Sequence, residues 1–292
     1  MSRMYLFGWM LCASCVAALS QAQTDSGIPH LHRQGNATQL VVDGKPFLIT
    51  SGELSNNAAS SLEQLEPVWP KLVASNLNTV LVAISWAQTE PEEGKFNFTE
   101  LDGVIAKARE NHLHLVVLWF GCWKNGTSSY PPVWVKKDYA RFPRIQIDEG
   151  KTVSIVGPVE TLSTFGEATA AADAKAFAAL MHHIKEVDGA EHTVLMMQVE
   201  NEVGVLRDSR DRSPAANRAY AGQVPAELMS YLEARKDNLI PEFRDVWAAN
   251  GYKKSGTWEQ VFGPGKPASL ELPVQTNISY LGLIRHDAEW LK

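Results

Sequence analysis

The groups able to do chemistry sit where apolar runs end. Residues 194–199 read Val-Leu-Met-Met-Gln-Val and lead directly into Glu200, Asn201 and Glu202. Residues two apart on a strand face the same side. Two glutamates against such a run are costly to bury without partners, so this pair points to function. Other apolar runs end in a similar way. One ends in Ser51-Gly52-Glu53, one leads into residues 85–91 with Trp86 and Glu90, and one into residues 119–123 with Trp119 and Trp123. Carboxylates, amides and tryptophans therefore converge on one mouth. Burial beside a like charge raises a glutamate's pKa, which is the condition a proton donor needs. Taken alone, Glu53 or Glu90 is equally a loop or turn residue, and each tryptophan is equally core.

Strands must carry these groups. Residues 78–84, 113–119 and 194–199 are apolar runs of strand length. Helices separate them. Residues 67–76 place Val68, Leu72 and Val73 on one face. Thr99 caps a second helix with Asp102 three residues on, and Leu101, Val104, Ile105 and Ala108 follow at helical spacing. Residues 170–187 form a third, with Phe177, Leu180, Met181 and Ile184 inward and Gly189 as its stop. Asp43-Gly44 between two apolar runs is a hairpin signal. The second arm, residues 47–49, has the continuous pattern of a buried parallel strand. Such alternation builds a parallel sheet. No glycine-rich phosphate loop follows the first strand, so a dinucleotide-binding fold loses its support. The expected fold is α/β of the (β/α)8 TIM-barrel type, with its chemistry at the C-terminal ends of the strands. Residues 226–236 and 241–250 read as later helices, and the chain from Tyr252 onward is weakly patterned.

The chain has 292 residues, 45% hydrophobic and 21% charged. That is globular composition and excludes global disorder. A net charge of −6 argues against a nucleic-acid partner, which needs a basic surface. Arg3, an apolar run over residues 5–19 and Ser20-Gln21-Ala22 read as a secretory signal peptide cleaved after Ala22. The expected location is secreted or periplasmic. The run falls short of the ~20 residues a membrane span needs, so no membrane association is expected after cleavage. Cys12 and Cys15 leave with the leader, and Cys122 alone can form neither an internal disulfide nor a cysteine-based zinc site. His182 and His183 read as solvent-facing and residues 136–144 as a solvated loop. No metal and no cofactor is expected. The organisation is leader 1–22, linker 23–37, barrel 38–264 and an atypical tail 265–292.

Residues 198–204, Gln-Val-Glu-Asn-Glu-Val-Gly, resemble the Gln-x-Glu-Asn-Glu-x-Gly signature of glycoside hydrolase family 35, the retaining β-galactosidases. Residues 41–53 resemble that family's opening strand and its Ser-Gly-Glu. Residues 78–98 resemble its second strand and the Glu-Pro-x-x-Gly-x-Phe-x-Phe turn. The resemblance implies that Glu202 is the general acid/base and that Asn201 holds the sugar's 2-hydroxyl. A partner carboxylate about 5–5.5 Å away would attack the anomeric carbon. It further implies an oligosaccharide or polysaccharide substrate, carrying terminal β-galactosides or related β-glycosides. Glu200, Glu53, Glu90, Trp86 and Trp123 are then candidates to line the sugar. Some positions depart from the pattern. Ala87 and Thr89 stand where the family has Asn and His, and Val203 where it has Tyr. Residues 120–124 replace a loop whose glutamate grips galactose. A β-mannanase- or cellulase-like hydrolase and a non-catalytic carbohydrate-binding fragment are the rival readings.

In such barrels the nucleophile ends strand seven. Two helices and a polar insert, residues 207–218, use up half of the chain beyond Glu202. None of Glu259, Glu271, Asp287 and Glu289 follows a clear buried strand, and residues 280–284 come nearest to one. The expectation is an incomplete barrel, about strands one to four plus part of the remainder, truncated before its nucleophile. The segment after Pro264 stops resembling the family.

Overall fold

The computed structural model describes residues 27–124, 126–147, 161–203 and 210–263. The segment read as a leader, with Cys12 and Cys15, and the chain from residue 264 onward lie outside them. The chain divides into two compact units, Met1–Phe47 and Leu48–Lys292. In the first, β1 (His30–Gln34), β2 (Ala37–Val42) and β3 (Lys45–Pro46) form an antiparallel sheet in that order. Asp43 and Gly44 join β2 to β3 with φ of 48° and 74°, the two left-handed residues a type I′ turn requires. The second arm departs from expectation. It is not a buried parallel strand, since β3 ends at Pro46 and Leu48 is 84% exposed. A three-residue apolar run is too short to separate a strand from a connection. β1 lies inside the segment read as a linker. Its five residues are all exposed, so no apolar alternation marks it.

The second unit is built on four parallel strands: β4 (Ser51–Glu53), β5 (Thr79–Ser85), β6 (His114–Phe120) and β7 (Val194–Val199), adjacent in chain order. Ser51 pairs with Thr79, Thr79 with His114, and Trp119 with Val199. Helices α1 (Leu62–Leu65) and α2 (Trp69–Ala74) connect β4 to β5. Helices α3 (Trp86–Thr89) and α4 (Thr99–Glu110) connect β5 to β6. Helices α5 (Val133–Lys137) and α6 (Glu167–Asp188) connect β6 to β7. Unbroken sequential order of parallel strands with helical crossovers is the construction of a TIM barrel, and the described strands are an incomplete barrel of this type. Helices α7 (Pro214–Ala221), α8 (Ala226–Ala234), α9 (Pro241–Ala249) and α10 (Trp258–Phe262) follow.

Strand alternation divides the core. Val80, Val82 and Ile84 of β5 pack in one cluster with Leu115 and Val117 of β6 and the inward faces of α4 and α6. Ala83, Leu118 and Phe120 form a smaller cluster on the other face. On α4 the buried residues are Leu101, Val104, Ile105 and Ala108, as the periodicity predicts. Its start differs. Asn97 Oδ1 accepts from the Thr99 N–H (3.0 Å) and hydroxyl (2.7 Å), so Thr99 is the residue held rather than the cap. On α6 the buried positions include Asp173, Ala176, Leu180 and Ile184. Met181 lies about 100° round the helix from Leu180 and is partly exposed.

His182 stays solvent-facing, while the readings of His183 and of residues 136–144 change. His182 Nε2 meets Glu186 four residues on, at 3.1 Å. His183 is half-buried: its Nε2 lies 2.6 Å from Asp102 Oδ1 and its ring stacks on Phe98 at 4.1 Å. It clips α6 to α4. In residues 136–144, Phe142 and Arg144 are buried, and Arg144 Nη2 donates to the Lys136 carbonyl at 2.7 Å. No helix among the described residues is long and apolar enough to cross a membrane.

Asp188 ties the end of α6 to the start of β7. Its carboxylate accepts from the N–H of Thr193 (3.1 Å) and of Val194 (2.7 Å) and from Arg109 Nη2 (2.5 Å). Burial pushes this carboxyl up, but the N–H of Val194, the Thr193 hydroxyl and Arg109 outweigh it and hold the group below its usual value. A depressed folded pKa gives stability that is present above the unfolded value and lost as pH falls through the folded one. Asp188→Asn leaves a buried N–H facing an amide nitrogen. It should cost about 1–3 kcal/mol in urea unfolding at neutral pH, with the deficit shrinking in acid. Equal midpoints at neutral pH would contradict this.

Candidate active site

The turn after β5 is set by a capping box. The Ser85 hydroxyl accepts from the Gln88 N–H (3.3 Å), and Gln88 Oε1 accepts from the Ser85 N–H (3.2 Å). The Ser-x-x-Gln spacing is a sequence signal for α3, as Thr257 and Gln260 are for α10. This turn directs Trp86 and Glu90 inward, where both are buried. Trp86 Nε1 donates to Glu90 Oε2 at 2.8 Å, and the Gly94 N–H donates to Oε1 at 2.7 Å. Glu90 therefore braces its own loop. Trp119 and Trp123 are equally enclosed. Trp86, Glu90 and Trp123, the candidate sugar contacts, are all buried in this packing. Glu53 stays exposed at the end of β4.

β7 stops at Val199, and the chain then enters left-handed backbone at Glu200 (φ 62°) and Glu202 (φ 50°). Such angles are uncommon outside glycine. Strand periodicity lapses here, so the two glutamates do not share a side: Glu200 is 6% exposed, while Glu202 is open to solvent. Glu200 Oε1 accepts from the Cys122 N–H (2.9 Å) and Oε2 from the Trp123 N–H (2.6 Å). Asp173, on the buried face of α6, accepts from Trp119 Nε1 (2.8 Å) through Oδ1 and from the same Cys122 N–H (3.0 Å) through Oδ2. Burial pushes Glu200 well above the ordinary carboxyl value and the Asp173 charge adds to it, against the two backbone N–H bonds. Burial and the two carboxyls likewise push up the Cys122 thiol. Burial beside a like charge, the environment expected of a proton donor, is thus found at Glu200, whose two oxygens accept from backbone N–H groups.

Asp173 escaped the sequence reading. Its signal is a charged residue in the 173, 176, 180, 184 register of an apolar helix face. Cys122, Asp173 and Glu200 present ligand-type atoms within 4.8 Å of one another. A cation placed there would have to displace the N–H donors that already fill the carboxylates.

Asn201, half-buried, and Glu202, exposed, lie beside the loop after β6. The Asn201 N–H donates to the Trp123 carbonyl (3.4 Å) and the Gly126 N–H to the Glu202 carbonyl (3.2 Å). One end of the Asn201 amide lies 3.0 Å from Lys124 Nζ. An ammonium only donates, so that end is the oxygen. An acid, an amide and an ammonium thus stand together past the C-terminal end of a parallel strand. Such a set can give up a proton and hydrogen-bond hydroxyls. A cavity of about 380 Å³ lies elsewhere, between Tyr139, Arg144, Ser163, Ser213 and Arg218, and Asn201 and Glu202 do not line it. Among the nucleophile candidates, Glu259 falls in the short helix α10. Glu271, Asp287 and Glu289, with residues 280–284, lie outside the described residues, as do Gly204 and residues 207–209 of the polar insert.

Solved structures similar to the chain include a catalytic mutant of Gan42B, a GH42 beta-galactosidase from G. stearothermophilus. It is 16% identical, with a TM-score of 0.44, over 74% of this chain and 28% of that one. Another structure of Gan42B is 16% identical, with a TM-score of 0.47, over 83% of this chain and 32% of that one. The chain therefore spans about a third of the length of these structures. No curated protein matches it. The family model that matches covers residues 63–280 and is that of glycoside hydrolase family 42, described as beta-galactosidase. This corrects the motif-based assignment to family 35. Asn-Glu at the end of strand four is common to the related barrel glycosidases and cannot separate them, and the family-35 loop after strand three is missing here. With more than half of its length matched, the chain belongs to the beta-galactosidase family 42 of glycoside hydrolases.

Proposed function

We propose that the chain carries a retaining β-galactoside hydrolase site, with Glu202 as the general acid/base. The observation that supports this is the Asn201-Glu202 step, with Glu202 exposed and Asn201 half-buried, just past the C-terminal end of the fourth parallel strand, where barrel enzymes hold their chemistry. Glu202 gives a proton to the leaving oxygen and later takes one from water. Asn201, steadied by Lys124, meets the sugar's 2-hydroxyl. A nucleophilic carboxylate about 5–5.5 Å from Glu202 completes the double displacement, and it comes from beyond residue 203. The leader over residues 1–22 supports export. The test is a panel of aryl β-glycosides given to the purified chain. We expect turnover of the β-galactoside above the β-glucoside and β-mannoside, with the β-anomer of galactose appearing first by NMR. A folded chain that turns over none of them would overturn the hydrolase reading. A preference for the β-mannoside would move it to the mannanase-like alternative.

A further inference from the structure

We propose that Asp173 is a positioning residue of this site: Asp173 and Glu200 hold one proton between their carboxyls, and the pair clamps the loop after β6 to the turn that carries Asn201 and Glu202. The site itself rests on the hydrolase reading above, but the shared proton does not.

The geometry is a single N–H forked between two carboxyls. Cys122 N lies 2.9 Å from Glu200 Oε1 and 3.0 Å from Asp173 Oδ2. Two carboxylates that close cannot both stay ionised in a buried place, which leaves one proton between them. Among the described residues neither forms an ion pair. The ionisable groups around them are Cys122, within 4.8 Å of both, and Lys124, whose ammonium lies over the Phe120 ring at 4.7 Å. One retained proton supplies an O–H donor between the carboxyls. The remaining lone pairs take the N–H groups of Trp119, Cys122 and Trp123. The upward push on Glu200 agrees with this. Three segments meet at the pair: α6 through Asp173, the loop after β6 through Cys122 and Trp123, and the end of β7 through Glu200. Asn201 and Glu202 are the next two residues.

The full chain is tested by thermal unfolding across about pH 5–9, a range above the ordinary carboxyl value. A folded pKa raised above the unfolded one gives stability that is full below the unfolded value and lost as pH rises. Wild-type Tm should therefore fall with pH. Asp173→Asn puts an N–H where the shared proton sat, so its profile should be flatter and its Tm relative to wild type should climb with pH. Asp173→Ala should lower Tm throughout, and on an aryl β-galactoside it should reduce kcat more than it raises KM. Infrared spectra of the wild type at neutral pH should retain a protonated-carboxyl stretch that Asp173→Asn lacks. Parallel pH profiles for wild type and Asp173→Asn would overturn the proposal. If that variant does not fold, absence of the stretch in wild type would do so alone. If no aryl glycoside is turned over while the profiles still diverge, the shared proton stands and the hydrolase reading falls.

Discussion

Glu202→Gln should lower turnover of a β-galactoside with a poor leaving group by about 10²–10⁴-fold, the range general acid–base catalysis supplies. Glutamine keeps the shape and the exposed position of Glu202 but has no proton to give and cannot take one from water. A nitrophenyl leaving group needs little protonation, so the first step should survive better with it. The second step then limits, and added azide should restore turnover by attacking the galactosyl intermediate and yield a β-galactosyl azide. Tm should not move, because the Glu202 side chain is solvent-exposed. Glu200→Gln separates the two glutamates. It places an amide NH2 against the Cys122 or Trp123 N–H, so any loss of turnover should come with a fall in Tm, unlike that of Glu202→Gln. Unchanged kcat in Glu202→Gln would remove that residue from the chemistry. A full loss of turnover in Glu200→Gln at unchanged Tm would transfer the acid role to Glu200.

The contrast between these glutamates marks what could be read without coordinates. Strand-length apolar runs and helical spacing were legible, because β5 and β6 lie inside the described sheet, β7 at its edge still carries an apolar run, and α4 and α6 have clear buried faces. β1 and β3 were not, since nothing apolar alternates along them. At the site, the positions of Glu200 and Glu202 at a strand end were legible and their orientations were not. A period of two applies only while the backbone stays extended, and the left-handed angles at both residues break it. Trp86 and Glu90 met a similar limit. Their spacing of four is a helical contact, and the Ser85 capping box that makes it so also turns both groups into the core. Asp173 needed a different question, namely which polar residue stands in an apolar helical register.

Gly121→Ala should be among the most costly single changes in the second unit. A Cβ on residue 121 would fall inside contact distance of Glu200 Oε1, Asp173 Oδ1 and Trp119 Nε1 together. The ends of flexible side chains usually yield to such a methyl group. These three cannot, because Trp119 Nε1 is bonded to Asp173, and Asp173 and Glu200 are bonded through the Cys122 N–H. Moving any one leaves a buried carboxyl or an N–H unmatched. Overpacking and a lost buried hydrogen bond together should cost about 3 kcal/mol in urea unfolding. Gly94→Ala is the control. Gly94 has φ of 76° with nothing within 4 Å of a Cβ, so it carries the left-handed backbone penalty alone, about 1–2 kcal/mol. Residue 121 carries the contact penalty without positive φ. If Gly121→Ala costs no more than Gly94→Ala, the carboxyl pair is loose enough to make room and cannot be the clamp that fixes Asn201 and Glu202. If it costs clearly more, and Asp173→Ala in the same background adds little further loss, both changes break the same unit.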